Sequence, residues 1–217
     1  VGDPMKRVAI LISGRGSNMV SLLEGMRAGE IDGKAVLVVS NRADALGLDK
    51  ARSFGVPVKV IARGEAKGRE SHDRAVVAAL EDAGAEIVCL AGYMRILTPF
   101  FVERYHQRLI NIHPSLLPSF PGLHAQEQAC AYGARISGCT VHFVDAEVDH
   151  GPIIAQAAVP VLPDDDADAL AARILEQEHR IYPRALADLC ADRIRLEGRR
   201  VIIAGRPVSF PGSLCVC

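Results

Sequence analysis

The sequence predicts a single α/β domain: an open, mostly parallel twisted sheet with helices on both faces and antiparallel strands near one edge. Three observations lead there. Short apolar runs rich in branched residues alternate with stretches of helical apolar spacing through the first half of the chain. Those runs are continuously apolar, as in strands covered on both faces. After His113 the strand-like segments alternate and carry prolines and polar residues, which suits positions close to a sheet edge.

In order, RVAILIS (7–13) is a buried strand that runs into Gly14 and Gly16. NMVSLLEGMRAG (18–29) has helical spacing, with Ser17 or Asn18 as its cap. KAVLVVS (34–40) is a second strand, and ADALGLDKARSFG (43–55) a second helix stopped by Gly55. VPVKVIA (56–62) is a third strand. RESHDRAVVAALEDAG (69–84) is a third helix, with Ala75, Val76, Ala79, Leu80 and Ala83 as its inner stripe. EIVCLAG (86–92) and RLINIH (108–113) are further strands around a short helix near TPFFVERY (98–105). GCTVHFVD (138–145) and PIIAQAAVPV (152–161) follow as the edge strands. Residues 164–192 form one long amphipathic segment, acidic at the start as the positive end of a helix favours, and bent or interrupted at Pro183. RIRLEGRRVII (193–203) closes as a hairpin around Glu197 and Gly198. VGDP at 1–4 reads as an expression remnant, 5–204 as the domain, and 205–217 as a tail without an assigned role.

Bulk properties narrow the class. The 217 residues suffice for a substantial core, and 25 Lys and Arg against 26 Asp and Glu leave a formal charge of -1. That balance lacks the basic face of a nucleic-acid binder. No apolar run is long enough to span a bilayer, and the six cysteines form no CxxC pair, so a reduced, cytoplasmic protein with structural thiols is expected.

Three motifs carry chemistry. SGRGSN (13–18) sits between a strand and a helix, where glycines and backbone N–H groups cradle an anion. It lacks the third glycine of a dinucleotide fingerprint and has no Walker lysine, so a phosphate monoester is the better guest. Asn111 and His113, two positions apart on one strand, project from the same face and offer an amide donor and a proton carrier to one target. The proline-stiffened PSLLPSFPG (114–122) walls that site. In VHFVDAEVDHGP (141–152), spacing alone favours reading Asp145 and Asp149 as two solvated loop acids, the alternative being a carboxylate beside His113 that orients its ring. His142 and His150 show no recognised metal spacing, and no metal is expected. An amide, an imidazole and a carboxylate together suit acyl-type transfer.

ILISGRGSN, LAGYMRIL, INIHPSLLPSFPGLHA, VHFVDAEVDHGPIIAQ and QEHRIYP, in this order and spacing, closely resemble the phosphoribosylglycinamide formyltransferase family of purine biosynthesis. The resemblance implies a Rossmann-like formyltransferase fold. It also implies transfer of a formyl group from 10-formyltetrahydrofolate, a co-substrate, to the amine of glycinamide ribonucleotide. The family's catalytic trio falls on Asn111, His113 and Asp149. Asn111 and protonated His113 would stabilise a tetrahedral oxyanion, while Asp149 holds the ring charged and assists proton movement through water. Arg15, Gly16, Ser17 and Asn18 would surround the ribonucleotide phosphate, and Glu178 the ribose hydroxyls. Met94, Arg95, Ile96, Leu97 and the loop at Glu147 would line the pteridine pocket, with Arg69 meeting the phosphate or the folate glutamate. The implied partners are these two small molecules, with no nucleic acid or membrane, acting on a monomer or homodimer.

Relatives share the trio. A 10-formyltetrahydrofolate deformylase would use water as acceptor and carry a regulatory domain ahead of this one, which is not expected with the strand pattern under way by Arg7. Methionyl-tRNA formyltransferase would need a further domain and a basic surface. A sensor that kept the pockets without turnover is the non-enzymatic alternative.

Overall fold

The architecture is built outward from the first strand. In the computed structural model, which describes residues 5–62 and 68–205, β1 spans Lys6–Ile12 and is wholly buried from Val8 to Ile12. Alternate strand residues point to opposite faces. Val8, Ile10 and Ile12 therefore join one apolar layer, while Ala9 and Leu11 join the other.

The remaining elements follow in order: α1 Ser17–Arg27, β2 Gly33–Ser40, α2 Gly47–Ser53, β3 Val58–Val60, α3 Arg69–Asp82, β4 Ile87–Leu90, α4 Pro99–Arg104, β5 Leu109–His113, α5 Ala125–Tyr132, β6 Ile136–Phe143, β7 Ile153–Pro160, α6 Ala167–Cys190, β8 Ile194–Glu197 and β9 Arg200–Ile203. Seven strands form one sheet in the order β3-β2-β1-β4-β5-β6-β7. Pairing is parallel from β3 to β5 and antiparallel from β5 to β7, matching the expected change of pattern after His113. The pair β8 and β9 forms its own small sheet, the expected closing hairpin. One layer is filled by Leu22 of α1 and Leu170, Ile174, Tyr182 and Leu186 of α6; Val76 and Leu80 of α3 and Phe101 of α4 fill the other.

Several expectations need correction. The helix at 164–192 is not interrupted at Pro183: α6 runs unbroken through it. Pro removes one helical hydrogen bond at a cost of about 3 kcal/mol. The buried stripe of Leu170, Ile174, Tyr182, Ala185 and Leu186 outweighs that. On α3 the inner face is His72, Asp73, Val76, Val77, Ala79 and Leu80; Ala75 is exposed and Ala83 half-buried, a rotation that lets two polar residues work inside. The cap of α1 is neither Ser17 nor Asn18 but Gly16, at φ 69 in the left-handed region that glycine enters without strain. Helix α5 has no counterpart in the sequence reading; its weakly amphipathic AQEQACAY follows a left-handed His124. The expected remnant at 1–4 and the tail from 206, with Cys215 and Cys217, lie outside the described residues.

The thiols are packed as expected of structural ones. Cys89, Cys139 and Cys190 are buried and unpaired, and burial pushes Cys139 and Cys190 up to about 12 and Cys89 well above its ordinary value. No described helix is long and apolar enough to cross a membrane.

Tyr182 ties α6 to the sheet beneath the site. Its ring is fully buried and its hydroxyl donates to the Leu90 carbonyl at 2.9 Å, with that of Ile110 at 3.3 Å. Replacing Tyr182→Phe should cost about 1–2 kcal/mol, a fall in Tm of roughly 2–8 °C. Thermal denaturation followed by circular dichroism measures this, and an unchanged Tm would show that the hydroxyl does not hold α6 to the sheet.

Candidate active site

Strand order reverses between β1 and β4, so the loops that leave their carboxyl ends diverge and open a crevice where ligands bind in open α/β sheets. Ser13 stitches the two sides together. Its N–H donates to the Gly92 carbonyl at 3.1 Å, its hydroxyl donates to Asn41 Oδ1 at 2.6 Å, and the same oxygen accepts from the Met94 N–H at 2.8 Å. The side chain is buried, so the loop after β1 and the loop after β4 are held at a set separation.

On the β1 side, Gly16 starts α1 with no side-chain cap, leaving the first N–H groups of the helix available to an anion. Asn18 Nδ2 donates to Glu178 Oε2 at 2.7 Å, joining α1 to α6, and Asn18 Oδ1 is buried without a partner among the described residues. Burial raises the Glu178 carboxyl above its ordinary value, and the Asn18 hydrogen bond opposes that shift. Arg15 is exposed, and Ser17 half-buried.

On the β4 side lies a cavity of about 660 Å³. Met94, Arg95, Ile96 and Leu97 line it together with Asn111, His113, Glu147 and Asp149. The expected pteridine-pocket residues and the trio therefore share one cavity. Arg69, at the start of α3, is exposed; it lies outside the cavity lining, and so do Arg15, Gly16, Ser17, Asn18 and Glu178. Buried Asp73 holds the cavity loop from behind, its Oδ2 accepting from the Thr98 N–H at 2.6 Å and the Thr98 hydroxyl at 2.8 Å.

His113 is the centre of the arrangement. Only 5 % exposed at the end of β5, it has Nε2 2.9 Å from the Phe120 carbonyl and Nδ1 3.3 Å from Asp149 Oδ2. A carbonyl only accepts, so Nε2 carries a proton, while Asp149 lies beside Nδ1 as the ion-pair partner of a charged ring. Asp149 reaches this place from a left-handed backbone at φ 51, and the Gly122 N–H donates to its Oδ2 at 2.7 Å. Two residues on, a Cβ on Gly151 would lie 1.8 Å from the Phe143 carbonyl oxygen, so the neck of this loop admits only glycine.

Of the two loop acids, Asp149 and not Asp145 orients His113. Asp145 Oδ2 instead accepts from His150 Nδ1 at 2.8 Å, and its Oδ1 from the Glu147 N–H at 3.0 Å, bracing the loop from within. Ser115 is buried and donates to the Ser119 carbonyl at 2.5 Å, so its hydroxyl is part of the wall. Among the described residues, no group of three or more His, Cys, Asp or Glu side chains is placed to hold a metal ion.

His142 is the functional side chain that the sequence reading missed, having been weighed only as a metal ligand. Antiparallel pairing sets it directly across from Asn111. Its Nδ1 donates to the Phe143 carbonyl at 2.7 Å, which leaves Nε2 to accept from Asn111 Nδ2 at 3.2 Å. Burial pushes this ring below its ordinary value, against the opposite pull of the Phe143 carbonyl and Asp149, and so favours the neutral tautomer that the geometry requires. The amide of Asn111 is thereby oriented. A strand-borne His in VHFVD carries no local signal of this; only the register with INIH reveals it.

A family model described as formyl transferase matches residues 6–186, and the chain belongs to that family. Within it, phosphoribosylglycinamide formyltransferase of Escherichia coli (strain K12) is 40 % identical over 199 residues, covering 92 % of this chain and 94 % of that protein. The trifunctional purine biosynthetic protein adenosine-3 of Drosophila pseudoobscura pseudoobscura is 50 % identical over 197 residues, 90 % of this chain. This chain spans only 14 % of that protein's length. Among solved structures, glycinamide ribonucleotide transformylase 1 from Symbiobacterium toebii superimposes with a TM-score of 0.92 at 48 % identity, covering 93 % of this chain and 95 % of that one. A formyltetrahydrofolate deformylase from Pseudomonas syringae shares the fold at TM-score 0.85 and 29 % identity, this chain covering 65 % of its length and the alignment 91 % of this chain.

Removing the acceptor that orients Asn111, by His142→Leu, should lower kcat in a formyl-transfer assay by roughly 10–100-fold through lost alignment, with both KM values little changed. A kcat within twofold of the parent would mean that Asn111 is oriented without His142.

Proposed function

We propose that this chain transfers the formyl group of 10-formyltetrahydrofolate to the amine of 5'-phosphoribosylglycinamide, within de novo purine biosynthesis. The observation that carries the reading is the shared cavity: Asn111, His113 and Asp149 line the same 660 Å³ space as the loop 94–97, one Ser13 hydrogen bond away from the anion loop. A folate-sized donor and a phosphorylated acceptor then meet at the trio from opposite sides of the switch point.

In this mechanism the substrate amine attacks the formyl carbon directly, and the carbonyl π electrons move to oxygen. The second N–H of the Asn111 amide, its first being given to His142, donates to that oxygen. His113 assists from Nδ1. Its Nε2 is anchored to Phe120, whereas the Nδ1 contact at 3.3 Å is the longer of the two and the one that yields to an incoming oxyanion. Asp149 stays beside the imidazolium as its counter-charge and, through water, carries the proton lost by the amine to N10 of the folate as the C–N bond breaks. The products are the formylated ribonucleotide and tetrahydrofolate. No covalent enzyme intermediate is required, in keeping with the structural engagement of Ser115.

Arg15, Gly16, Ser17 and Asn18 receive the phosphate, and Glu178, kept in place by Asn18, receives the ribose hydroxyls. Met94, Arg95, Ile96, Leu97 and Glu147 take the pteridine, and Arg69 reaches the folate tail or the phosphate.

The test is the absorbance change of folate deformylation measured with and without glycinamide ribonucleotide. Signal that depends on the ribonucleotide is expected; an equal rate without it would make water the acceptor and the chain a deformylase. Asp149→Asn should reduce kcat at least ~100-fold while both ligands still bind, and near-parent turnover would remove Asp149 from the mechanism. Ser115→Ala should retain more than about a third of parent kcat, since a neutral wall hydrogen bond contributes only ~1 kcal/mol, mostly to stability. Abolished activity in a folded Ser115→Ala protein would expose a role that the mechanism lacks.

A further inference from the structure

The anion loop has no lysine of its own, and the fold brings one to it from elsewhere. Lys50 Nζ, on α2, donates to the Arg15 carbonyl at 2.9 Å across 35 residues of sequence. One turn earlier on the same helix, the Gly47 N–H donates to the Gly14 carbonyl at 3.0 Å. Two successive carbonyls of the loop are thus bound to α2. In a planar trans peptide unit the C=O and N–H point in opposite directions. Binding these two carbonyls to α2 therefore turns the N–H groups of Arg15 and Gly16 away from it, leaving them free for an anion at the start of α1.

The backbones meet closely enough to make this an anvil. A Cβ on Gly16 would lie 3.0 Å from Gly47 Cα, and a Cβ on Gly47 would lie 2.6 Å from Ile12 Cδ1 and 3.1 Å from the Gly14 oxygen. Both glycines are buried in this contact, whereas Lys50 is exposed and can be changed without repacking anything.

We propose that Lys50 is a positioning residue for the ribonucleotide phosphate: by holding the Arg15 carbonyl, it presets the loop so that the Gly16 N–H faces the phosphate before the substrate arrives. This rests on the reading that SGRGSN receives that phosphate. Preorganisation of this kind acts on the affinity for one substrate only. The folate cavity is lined by other loops, and Lys50 is not among its lining residues.

The experiment compares Lys50→Met, Lys50→Gln and Lys50→Arg in the full chain by steady-state kinetics, with Gly16→Val alongside. Lys50→Met should raise KM for glycinamide ribonucleotide roughly 3–10-fold, with kcat, folate KM and Tm unchanged. Lys50→Arg, which donates to the same carbonyl, should restore the parent KM, and Lys50→Gln should restore part of it. With the dephosphorylated riboside as acceptor, the Lys50→Met penalty should vanish. An unchanged ribonucleotide KM in Lys50→Met while Gly16→Val raises it would overturn the role of Lys50 alone. An unchanged KM in Gly16→Val as well would overturn the phosphate reading of the loop. Lys50→Gln as impaired as Lys50→Met, with Lys50→Arg restored, would make the positive charge itself the contribution and overturn positioning.

Discussion

Everything at the centre of this protein is arranged around an imidazole whose two nitrogens both face acceptors. Nε2 is bound to the Phe120 carbonyl at 2.9 Å, and Nδ1 stands 3.3 Å from the Asp149 carboxylate, an ion pair when the ring is charged. Three separate pieces of chain must be correct at once for this to happen. Strand β5 has to end at His113, the loop 114–124 has to bring Phe120 back, and the loop 144–151 has to deliver Asp149 through a left-handed residue. The Gly122 N–H, bound to the same carboxylate oxygen as the ring, locks the two loops to each other.

The loops are held by a scaffold of buried polar contacts. Thr140, opposite His113 in the sheet, donates to the Ser115 carbonyl at 2.7 Å and accepts from the Leu117 N–H at 3.0 Å, while Gln156 Nε2 donates to the Leu117 carbonyl at 2.9 Å. Unpaired groups at such depth would each cost about 1–3 kcal/mol, which keeps the network complete and the loop in one conformation. Asn111 is treated likewise: His142 Nε2 accepts one of its two amide N–H bonds. Two histidines that flank Asp149, at 3.3 Å and 3.7 Å, therefore have opposite duties. His142, buried to 2 % exposure, works as a neutral acceptor, and His113, beside a carboxylate, as a donor.

Much of this was legible in the chain. The central strands declared themselves because residues covered on both faces are uniformly apolar, as in RVAILIS. Asn111 and His113 could be paired because strand geometry places i and i+2 on one face. The left-handed His124 and the polar residues of AQEQACAY hid α5, and the burial of Tyr182 and Leu186 carried α6 through Pro183 against its local preference. On α3 the inner face includes His72 and Asp73, which hydrophobic periodicity discounts, since their burial is compensated by Tyr93 and Thr98 from a distant loop.

The sequence by itself determined the α/β class, the order of the strands and of every helix but α5, the glycine loop and the Asn-x-His pair, because each is written in contiguous residues whose spacing reflects local backbone geometry. It also held the five blocks whose order marks the formyl transferase family. Tertiary structure alone decided which acid serves His113, that His142 orients Asn111, that Ser13 joins the two loops of the crevice, and that Lys50 reaches the loop lacking a lysine. Each of these is a polar contact between residues 28 or more positions apart. Such contacts depend on strand register and loop closure, which arise only when the apolar layers pack and fix the relative positions of distant segments.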